Sequence, residues 1–330
     1  MAQTALSPDA LQIDPGQVVE ELCARLRDVV GKELRRKGAV VGVSGGIDST
    51  VTCALCARAL GPERVLALFT PESDSDDETL RLSRLAVDSL GVESVLEDIT
   101  PLLQASRAYE RRDAAVRQLI PDFAADWKLK IVLPSVIGSD ALRVFSLVVE
   151  SPDGRQEKVR LPAVQYLEIV AATNFKQRSR KMIEYYHADR LNYAVAGTPN
   201  RLEYDQGFFV KNGDGAADVK PIAHLYKTQV YALAEYLAVP EEIRTRPPTT
   251  DTYSLPQSQE EFYFSLPYDK MDLCLYAHNE GLPAEAVADA VGVSAEDVGR
   301  VYRDIEQKRR TTRYLQLPPL LLEAVPEIES

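Results

Sequence analysis

A short apolar run leads into a glycine- and serine-rich turn and then into a helix, and this unit constrains the fold more than any other feature of the chain. Residues 39–43 are mostly β-branched, as in a buried strand, and helical spacing of apolar residues resumes over 50–60. Between them stands Ser-Gly-Gly-Ile-Asp-Ser at 44–49. Such a turn directs backbone N–H groups and the positive end of the helix dipole toward one point, where an anion can bind. The sequence therefore predicts a phosphate-binding loop.

Strands continue to alternate with helices on both sides of this unit. Apolar positions at spacings of three and four predict a helix over 17–37. Buried strands are predicted at 65–70 and 92–99, with a helix at 76–90 that ends at Gly91. Strands that alternate with helices form a parallel sheet covered on both faces, so we predict an α/β fold with a doubly wound parallel sheet.

The alternation breaks after a predicted helix at 101–120. Three β-like runs, at 131–133, 142–150 and 158–161, surround a Ser-Pro-Asp-Gly turn, and we interpret residues 118–170 as an insertion that carries a β-hairpin. Further segments are predicted as a helix at 164–191, a strand at 193–197, a helix at 226–237, a mobile loop at 251–267 and two or three helices at 268–315. We expect residues 1–330 to form one domain.

Composition excludes several classes of protein. The chain has 330 residues, of which 45% are apolar and 27% charged, and its net charge of -12 disfavours a nucleic-acid partner. It has no apolar run of the ~18 residues that a membrane span needs, and residues 1–17 do not resemble a secretory signal, which favours the cytoplasm. Four cysteines are too few for a disulfide scaffold, and Cys53 and Cys56 are expected to be small buried hydrophobes.

The side chains of the loop refine the prediction. Its glycines permit a close approach, and Ser44, Ser49 and Thr50 add hydroxyl donors. The loop lacks the Lys of the G-x-x-x-x-G-K-S/T pattern, so it is not expected to hold β- and γ-phosphates in that way. Asp48 would repel a phosphate unless a cation lay between them, and Mg²⁺ is the natural candidate. The alternative of a polar turn that only caps a helix is disfavoured by the two flanking serines and the preceding strand.

The loop order Ser-Gly-Gly-x-Asp-Ser resembles that of the N-type ATP pyrophosphatases, which split ATP between its α- and β-phosphates. Later segments resemble the NAD synthetase family within that superfamily. They include Asn-Phe-Lys-Gln-Arg-Ser-Arg at 174–180, Gly-Thr-Pro-Asn-Arg-Leu-Glu at 197–203, Gly-Phe-Phe-Val-Lys-Asn-Gly-Asp-Gly at 207–215, Pro-Pro-Thr-Thr-Asp at 247–251 and Glu-Gln-Lys-Arg at 306–309. The resemblance implies a Rossmann-like ATP pyrophosphatase fold.

The resemblance also implies a reaction, the ATP-dependent amidation of nicotinic acid adenine dinucleotide to NAD. An acyl-adenylate would form with release of pyrophosphate, and ammonia would then displace AMP. The 40 residues before Val41 are too few for an amidase domain, so ammonia would arrive free or from a separate protein. The alternative is a paralogous ligase that adenylates a different carboxylic acid, with ammonia or an amine as acceptor. Two departures from the family support this alternative. The insertion has no counterpart in the family motifs, and the pair Gln307-Lys308 stands where the family commonly has His-Lys.

The resemblance assigns roles residue by residue. The catalytic residues would be Asp48, Lys227 and Thr249. The residues around ATP would be Ser44, Gly45, Gly46, Ile47, Asp48, Ser49, Thr50, Val51, Thr198, Lys227 and Thr249. The dinucleotide would contact Arg178, Lys211, Asp218, Gln307 and Lys308, and Mg²⁺ would bind to Asp48 and Glu203. A homodimer is expected, with helices at 18–34 and 185–191 as interface candidates. Asp48 is expected to be a surface-loop acid with little part in folding.

Overall fold

The computed structural model describes residues 6–138, 144–247, 252–258, 263–323 and 325–327. The strands are β1 (Ala39–Gly42), β2 (Val65–Phe69), β3 (Glu93–Leu96), β4 (Lys128–Val132), β5 (Ser146–Glu150), β6 (Gln156–Arg160) and β7 (Ala194–Ala196). The helices are α1 (Pro15–Asp28), α2 (Ile47–Leu60), α3 (Asp77–Leu90), α4 (Thr100–Ala105), α5 (Ala108–Arg117), α6 (Ala163–Leu191), α7 (Arg201–Gln206), α8 (Lys227–Tyr236), α9 (Glu241–Thr245), α10 (Tyr268–Asn279), α11 (Ala288–Val291) and α12 (Ala295–Gln316). Short turns of helix lie at Pro8–Leu11, Val29–Glu33, Pro62–Arg64 and Ala284–Ala286.

The main sheet has the strand order β3-β2-β1-β7, and each neighbouring pair is parallel. From β1 the chain proceeds outward to β2 and β3, and it later returns to β7 on the other side of β1. The order therefore reverses between β1 and β7, and ligands of open α/β sheets bind at the carboxyl ends of the strands at such a point. The predicted doubly wound parallel sheet is confirmed.

Strand β1 is buried on both faces, which explains its continuous apolar run. Ala39 and Val41 join the core formed with α1, α2 and α8, whereas Val40 packs with Ala188 of α6 on the other face. Helix α2 is almost wholly buried beside the sheet, and Cys53 and Cys56 are fully buried as expected. Burial raises the pKa of the Cys53 thiol to about 12, which leaves it protonated and unreactive at neutral pH.

Several predicted element bounds were wrong. The helix predicted at 17–37 ends at Asp28 and continues only as a wider turn at Val29–Glu33. Helix α2 begins at Ile47 and not at residue 50, because the polar loop residues themselves form its first turn after the N-cap Gly46. The helix predicted at 101–120 is divided into α4 and α5, since Arg107 adopts a left-handed conformation with φ of 58°.

The insertion forms a three-stranded antiparallel sheet of order β4-β5-β6, in which β5 and β6 form the predicted hairpin around the Ser-Pro-Asp-Gly turn and β4 adds a third strand. Its strands begin at Lys128, Ser146 and Gln156, and residues 142 and 143 of the second predicted run lie outside the described part of the chain. One face of this sheet packs against α5 and α6 through Leu129, Ile131, Leu147 and Val149, together with other apolar side chains. The insertion is therefore joined to the main domain by its own hydrophobic core.

The C-terminal region contains the predicted helices as α10, α11 and α12, and they share a core with the residues that precede them. The predicted mobile loop at 251–267 contains buried side chains, among them Tyr253, Leu255, Gln257 and Phe264. Residues 251 and 259–262 lie outside the described part of the chain, and the mobility of this loop stays a prediction. The organisation of residues 1–330 as one domain also stays a prediction. Among the described residues, no helix combines the length and the apolar character that a membrane span requires.

Candidate active site

The loop between β1 and α2 is organised by its own hydroxyl groups. The Ser44 N–H donates to Ser49 Oγ over 3.2 Å, and the hydroxyls of Ser49 and Thr50 donate to the Gly46 carbonyl over 3.0 and 2.9 Å. Gly45 has a φ of +70°, and a Cβ there would lie 2.7 Å from the Thr79 carbonyl oxygen. The residue must therefore be glycine for two reasons, the left-handed backbone and the close contact with α3.

A cavity of about 980 Å³ opens where β1, β2 and β7 end. Of the residues predicted around ATP, those that line the cavity are Ser44, Gly46, Ile47, Asp48, Ser49, Thr198 and Lys227. Gly45 shapes the turn, and Thr50 and Val51 are buried in α2, so these three support the loop from behind. Thr249 lies outside the described residues.

A buried ion pair lies beside the loop. The Nζ atom of Lys227, the first residue of α8, donates to Asp48 Oδ2, and the Lys227 side chain is only 3% exposed. Burial opposes the ammonium charge, but the carboxylates of Asp48 and Glu203 outweigh burial and hold the pKa of Lys227 above its usual value. Asp48 is thus part of a buried pair with a side chain 16% exposed, and the expectation of a surface-loop acid was wrong.

Glu203 completes an acidic group next to this pair. It is placed by a capping box at the start of α7, in which the Glu203 N–H donates to Asn200 Oδ1 over 3.2 Å and the Asn200 N–H donates to Glu203 Oε2 over 3.1 Å. The Asn200 amide also reaches Asp48 Oδ1 over 3.3 Å. Burial and, after it, the charge of Asp48 raise the pKa of Glu203 above its usual range.

The raised pKa of Glu203 bears on the predicted magnesium site. Two neighbouring carboxylates repel each other when both are charged, and a cation between them removes this repulsion. Mg²⁺ typically binds one or two protein carboxylates together with waters and substrate phosphates. The described residues contain no cluster of three or more side chains able to enclose a metal. Asp48 and Glu203 therefore fit an ion that is shared with a bound phosphate group.

Asp272 of α10 is a site residue that the sequence did not reveal. Its Oδ1 accepts the Lys227 N–H over 3.2 Å and its Oδ2 accepts the Thr228 N–H over 2.7 Å, so it caps α8 from another helix. Burial raises the pKa of Asp272 to about 7. The capping residue lies 45 positions from Lys227, and no local pattern could have indicated it.

The cavity is more basic than the rest of the protein. Of the described residues, eight lysines and arginines line it against six acids, in a chain with a net charge of -12. The basic residues are Lys176, Arg180, Lys181, Lys227, Arg246, Arg300, Arg303 and Lys308. Lys176 and Arg300 are paired with carboxylates that lie outside the lining, so the excess does not amount to free positive charge.

The residues predicted to bind the dinucleotide are divided between two places. Gln307 and Lys308 line the cavity, and Lys308 Nζ bonds to Asp304 and to the Tyr263 carbonyl, each over 2.7 Å. Arg178, Lys211 and Asp218 lie outside the cavity lining. The following contacts hold these three: Arg178 Nε donates to the Lys211 carbonyl over 3.2 Å, Lys211 Nζ donates to the Tyr314 carbonyl over 2.7 Å, and Asp218 accepts the Val195 N–H over 2.8 Å. Their role in substrate binding stays a prediction.

The geometry first defines a class of protein. A parallel sheet with a glycine- and serine-rich loop before a helix at its topological switch point, beside two carboxylates and a buried lysine, is an α/β fold of the kind that binds nucleotides. A family model described as NAD synthase matches residues 18–124 and 155–315. The chain therefore belongs to the NAD synthase family, and it is a ligase that forms a C–N bond. The family resemblance drawn from the motifs is confirmed.

Individual relatives agree with this family. The chain is 59% identical over 323 residues to the NH(3)-dependent NAD(+) synthetase of Rhizobium meliloti, a match that covers 98% of this chain and 96% of the relative. It is 35% identical over 292 residues to the NH(3)-dependent NAD(+) synthetase of Thermotoga neapolitana, covering 88% and 93% of the two chains.

Solved structures extend the comparison to the fold. An NH3-dependent NAD synthetase from Campylobacter jejuni superposes with a TM-score of 0.61 at 22% identity, covering 94% of this chain and 100% of that chain. An NMN synthetase from Francisella tularensis superposes with a TM-score of 0.63 at 23% identity, covering 94% and 99%. At these identities the structural matches show a shared fold alone.

Proposed function

We propose that this ligase converts nicotinic acid adenine dinucleotide to NAD, with ATP and ammonia as co-substrates and AMP and pyrophosphate as products. The observation that carries the proposal is the group formed by half-buried Asp48 and Glu203 and buried Lys227 beside the Ser44–Ser49 loop, in the cavity where the parallel strands end. The 59% identity to a relative named for ammonia-dependent NAD synthesis supports this substrate.

The proposed chemistry explains why the site needs these groups. A carboxylate resists attack by ammonia because oxide would have to leave, and transfer of the adenylyl group provides a good leaving group, AMP. The loop N–H groups and the Ser44 and Ser49 hydroxyls would hold the phosphates. The Lys227 ammonium, kept charged by its neighbours, would offset the charge that develops on the departing pyrophosphate.

Magnesium would be held by Asp48 and Glu203. When bound, it would neutralise phosphate charge close to the bond that breaks. The Asp48 carboxylate now paired with Lys227 would then be shared between the ammonium and the ion, and Asn200 would keep both carboxylates in place.

A homodimer remains part of the proposal. Tyr186, within the predicted interface at 185–191, and Met182, one turn before it on α6, are exposed by 60% and 55%. Arg178 and Lys211 lie outside the cavity of a single chain, as expected if a second copy completes their site. Lys308, in contrast, lines the cavity of its own chain. Sedimentation should give twice the chain mass of 36.6 kDa, and a monomer at assay concentrations would contradict the dimer.

The paralogous amide ligase is the second candidate, and one observation favours it. The fold is shared with an NMN synthetase at a TM-score of 0.63, so this scaffold also occurs in a ligase named for a smaller nucleotide. The second candidate activates a different carboxylic acid, and its acceptor is either ammonia or an amine.

Product analysis separates the candidates. The enzyme is incubated with ATP, Mg²⁺, ammonium and either nicotinic acid adenine dinucleotide or nicotinic acid mononucleotide. We expect AMP and NAD in equal amounts from the dinucleotide, and little AMP from the mononucleotide. Formation of ADP would contradict the proposed cleavage, and faster turnover of the mononucleotide would favour the second candidate.

A further inference from the structure

Between its two matched ranges, the family model leaves residues 125–154 of the chain unmatched. This segment contains β4 and β5, the first two strands of the inserted sheet. Strand β5 lies in the middle, so β4 and β6 form the two edges. A free edge strand presents unpaired backbone N–H and C=O groups, and proteins commonly cover such an edge with another segment of the chain.

The outer edge of β4 is covered by residues 254–257, which follow it by more than a hundred positions. The Leu255 N–H donates to the Leu129 carbonyl over 3.1 Å, and the Leu129 N–H donates to Ser254 Oγ over 2.9 Å. The Gln257 side-chain amide donates to the Ile131 carbonyl over 2.6 Å. The segment thus covers the free edge of β4 without forming a fourth strand.

The same segment contributes to the core of the insertion. Tyr253 is 6% exposed and packs with the cluster that includes Leu129 and Ile131, and Leu255 is 4% exposed and packs with Val132. Hydrogen bonds and apolar burial therefore hold 252–258 to the insertion.

The inner side of this segment forms part of the cavity. Thr252 and Tyr253 line it together with Phe145 and Tyr166, whose rings stack with centroids 4.3 Å apart. We call these four residues the insertion wall. Lys176 of α6 donates to the Thr252 carbonyl over 3.3 Å, so the wall is also tied to the main domain.

Lys176 is itself fixed in position. Its Nζ lies 2.8 Å from Glu72 Oε1 and 2.6 Å from Asp74 Oδ2, and its side chain is only 5% exposed. A buried lysine with two carboxylate partners has little freedom to move. The contact with Thr252 therefore joins the segment to a rigid part of the cavity.

We propose that residues 125–154 are a positioning element, which holds 252–258 in place and so preforms the insertion wall for an aromatic ring of the acid substrate. On the proposed function the Ser44–Ser49 loop would hold the phosphates of ATP, and the wall offers flat aromatic surface, which suits a heteroaromatic ring. The identity of that acid rests on the proposed function, but the anchoring of the segment does not.

The test compares Gln257→Met with Gln156→Met in the full-length enzyme. The first change removes the donor to Ile131 at similar side-chain volume. The second removes an amide on the opposite edge of the sheet, where exposed Gln156 bonds to Glu150. Both variants are treated with chymotrypsin without ligands, and KM and kcat are measured for each substrate.

We expect chymotryptic cleavage after Tyr253 to be faster in Gln257→Met than in Gln156→Met. In the same variant, KM for the dinucleotide should rise roughly threefold to tenfold, the scale of one lost hydrogen bond, while kcat and KM for ATP stay within about twofold of the control. Ser254→Ala removes the acceptor of the Leu129 N–H and should change the cleavage rate and KM in the same direction. It replaces Gln257→Met in the test should that variant fold poorly.

Three results would overturn the proposal. Equal cleavage rates in both variants would show that the β4 edge does not hold the segment. Faster cleavage with an unchanged KM for the acid would show that the segment is anchored but does not shape the substrate site. A rise of KM for ATP without a rise of KM for the acid would assign the wall to adenine and overturn the proposal. Failure of the wild-type enzyme to form NAD would instead refute the proposed function, and the cleavage experiment would still decide the anchoring.

Discussion

The phosphate loop and the insertion wall meet in one cavity but are assembled over very different lengths of chain. In the loop, the hydrogen bonds of Ser44 and Thr50 join residues five and four positions apart. In the segment that supports the wall, Gln257 bonds to a residue 126 positions away. A short pattern can therefore specify the loop, whereas the wall depends on folding of the whole chain. The loop lies in the part of the chain that the family model matches, whereas Phe145 of the wall and the strands that support the wall lie in residues 125–154, which the model does not match.

The largest effect is expected in the loop. Asp48→Asn should lower kcat/KM at least about a thousandfold, because it removes a proposed magnesium ligand and the charge that faces Lys227. It should also lower the free energy of unfolding by roughly 2 kcal/mol. Breaking an isolated buried pair costs ~3–5 kcal/mol, but here the Glu203 carboxylate still stabilises the Lys227 ammonium, so the loss is smaller. Steady-state kinetics and urea unfolding measure the two effects.

Asp77→Asn is the matched control for this prediction, because Asp77 lies exposed in the first turn of α3 and does not line the cavity. It should leave kcat/KM unchanged. Activity of Asp48→Asn within tenfold of the wild type would remove the loop from its proposed catalytic role.

A second prediction addresses the tertiary support of the loop side of the cavity. Asp272→Asn keeps one acceptor but loses a carboxylate that caps α8, so the backbone of Lys227 should be held less firmly. We expect kcat to fall roughly tenfold, with KM for both substrates changed less. Asp269→Asn, at an exposed position in the first turn of the same helix, is the control and should behave as wild type. A kcat equal to that of the control would make Asp272 a purely structural cap.

A third prediction tests the wall directly. Phe145→Leu keeps an apolar side chain but loses the stacked pair with Tyr166, and KM for the dinucleotide should rise roughly threefold with KM for ATP unchanged. Phe123→Leu is the control, because Phe123 packs edge-on against Trp127 in the same core and does not line the cavity. An equal rise of KM for ATP would show that the wall is not specific to the acid.

The smallest predicted effect concerns pH. The pKa of Asp272 is raised from 3.8 to about 7, so between these values the native state binds a proton that the unfolded state releases. This contribution to stability is present at low pH and is lost as the pH rises through 7. The Tm of Asp272→Asn relative to wild type should therefore increase by a few degrees between pH 5 and pH 8. A difference in Tm that is constant with pH would refute the raised pKa.

Element types followed from the sequence more closely than element ends did. Apolar periodicity predicted the strands and most helices, but it placed the start of α2 three residues late because Ile47, Asp48 and Ser49 belong both to the loop and to the first helical turn. It also missed the break at Arg107, where the left-handed backbone has no glycine or proline to signal it. Backbone conformations of this kind are set by packing and not by local preference.

By itself, the sequence determined the parallel α/β fold, the strand–loop–helix unit at 39–60 and the family, because each depends on residues close together in the chain or on several motifs in a fixed order. The tertiary structure decided the rest. It brought Asp48, Glu203 and Lys227 together, placed Asp272 at the start of α8, and separated Arg178 and Lys211 from the cavity. Such contacts depend on how helices and sheets pack, since burial and charge act through space, and no spacing along the chain records which distant residues will meet.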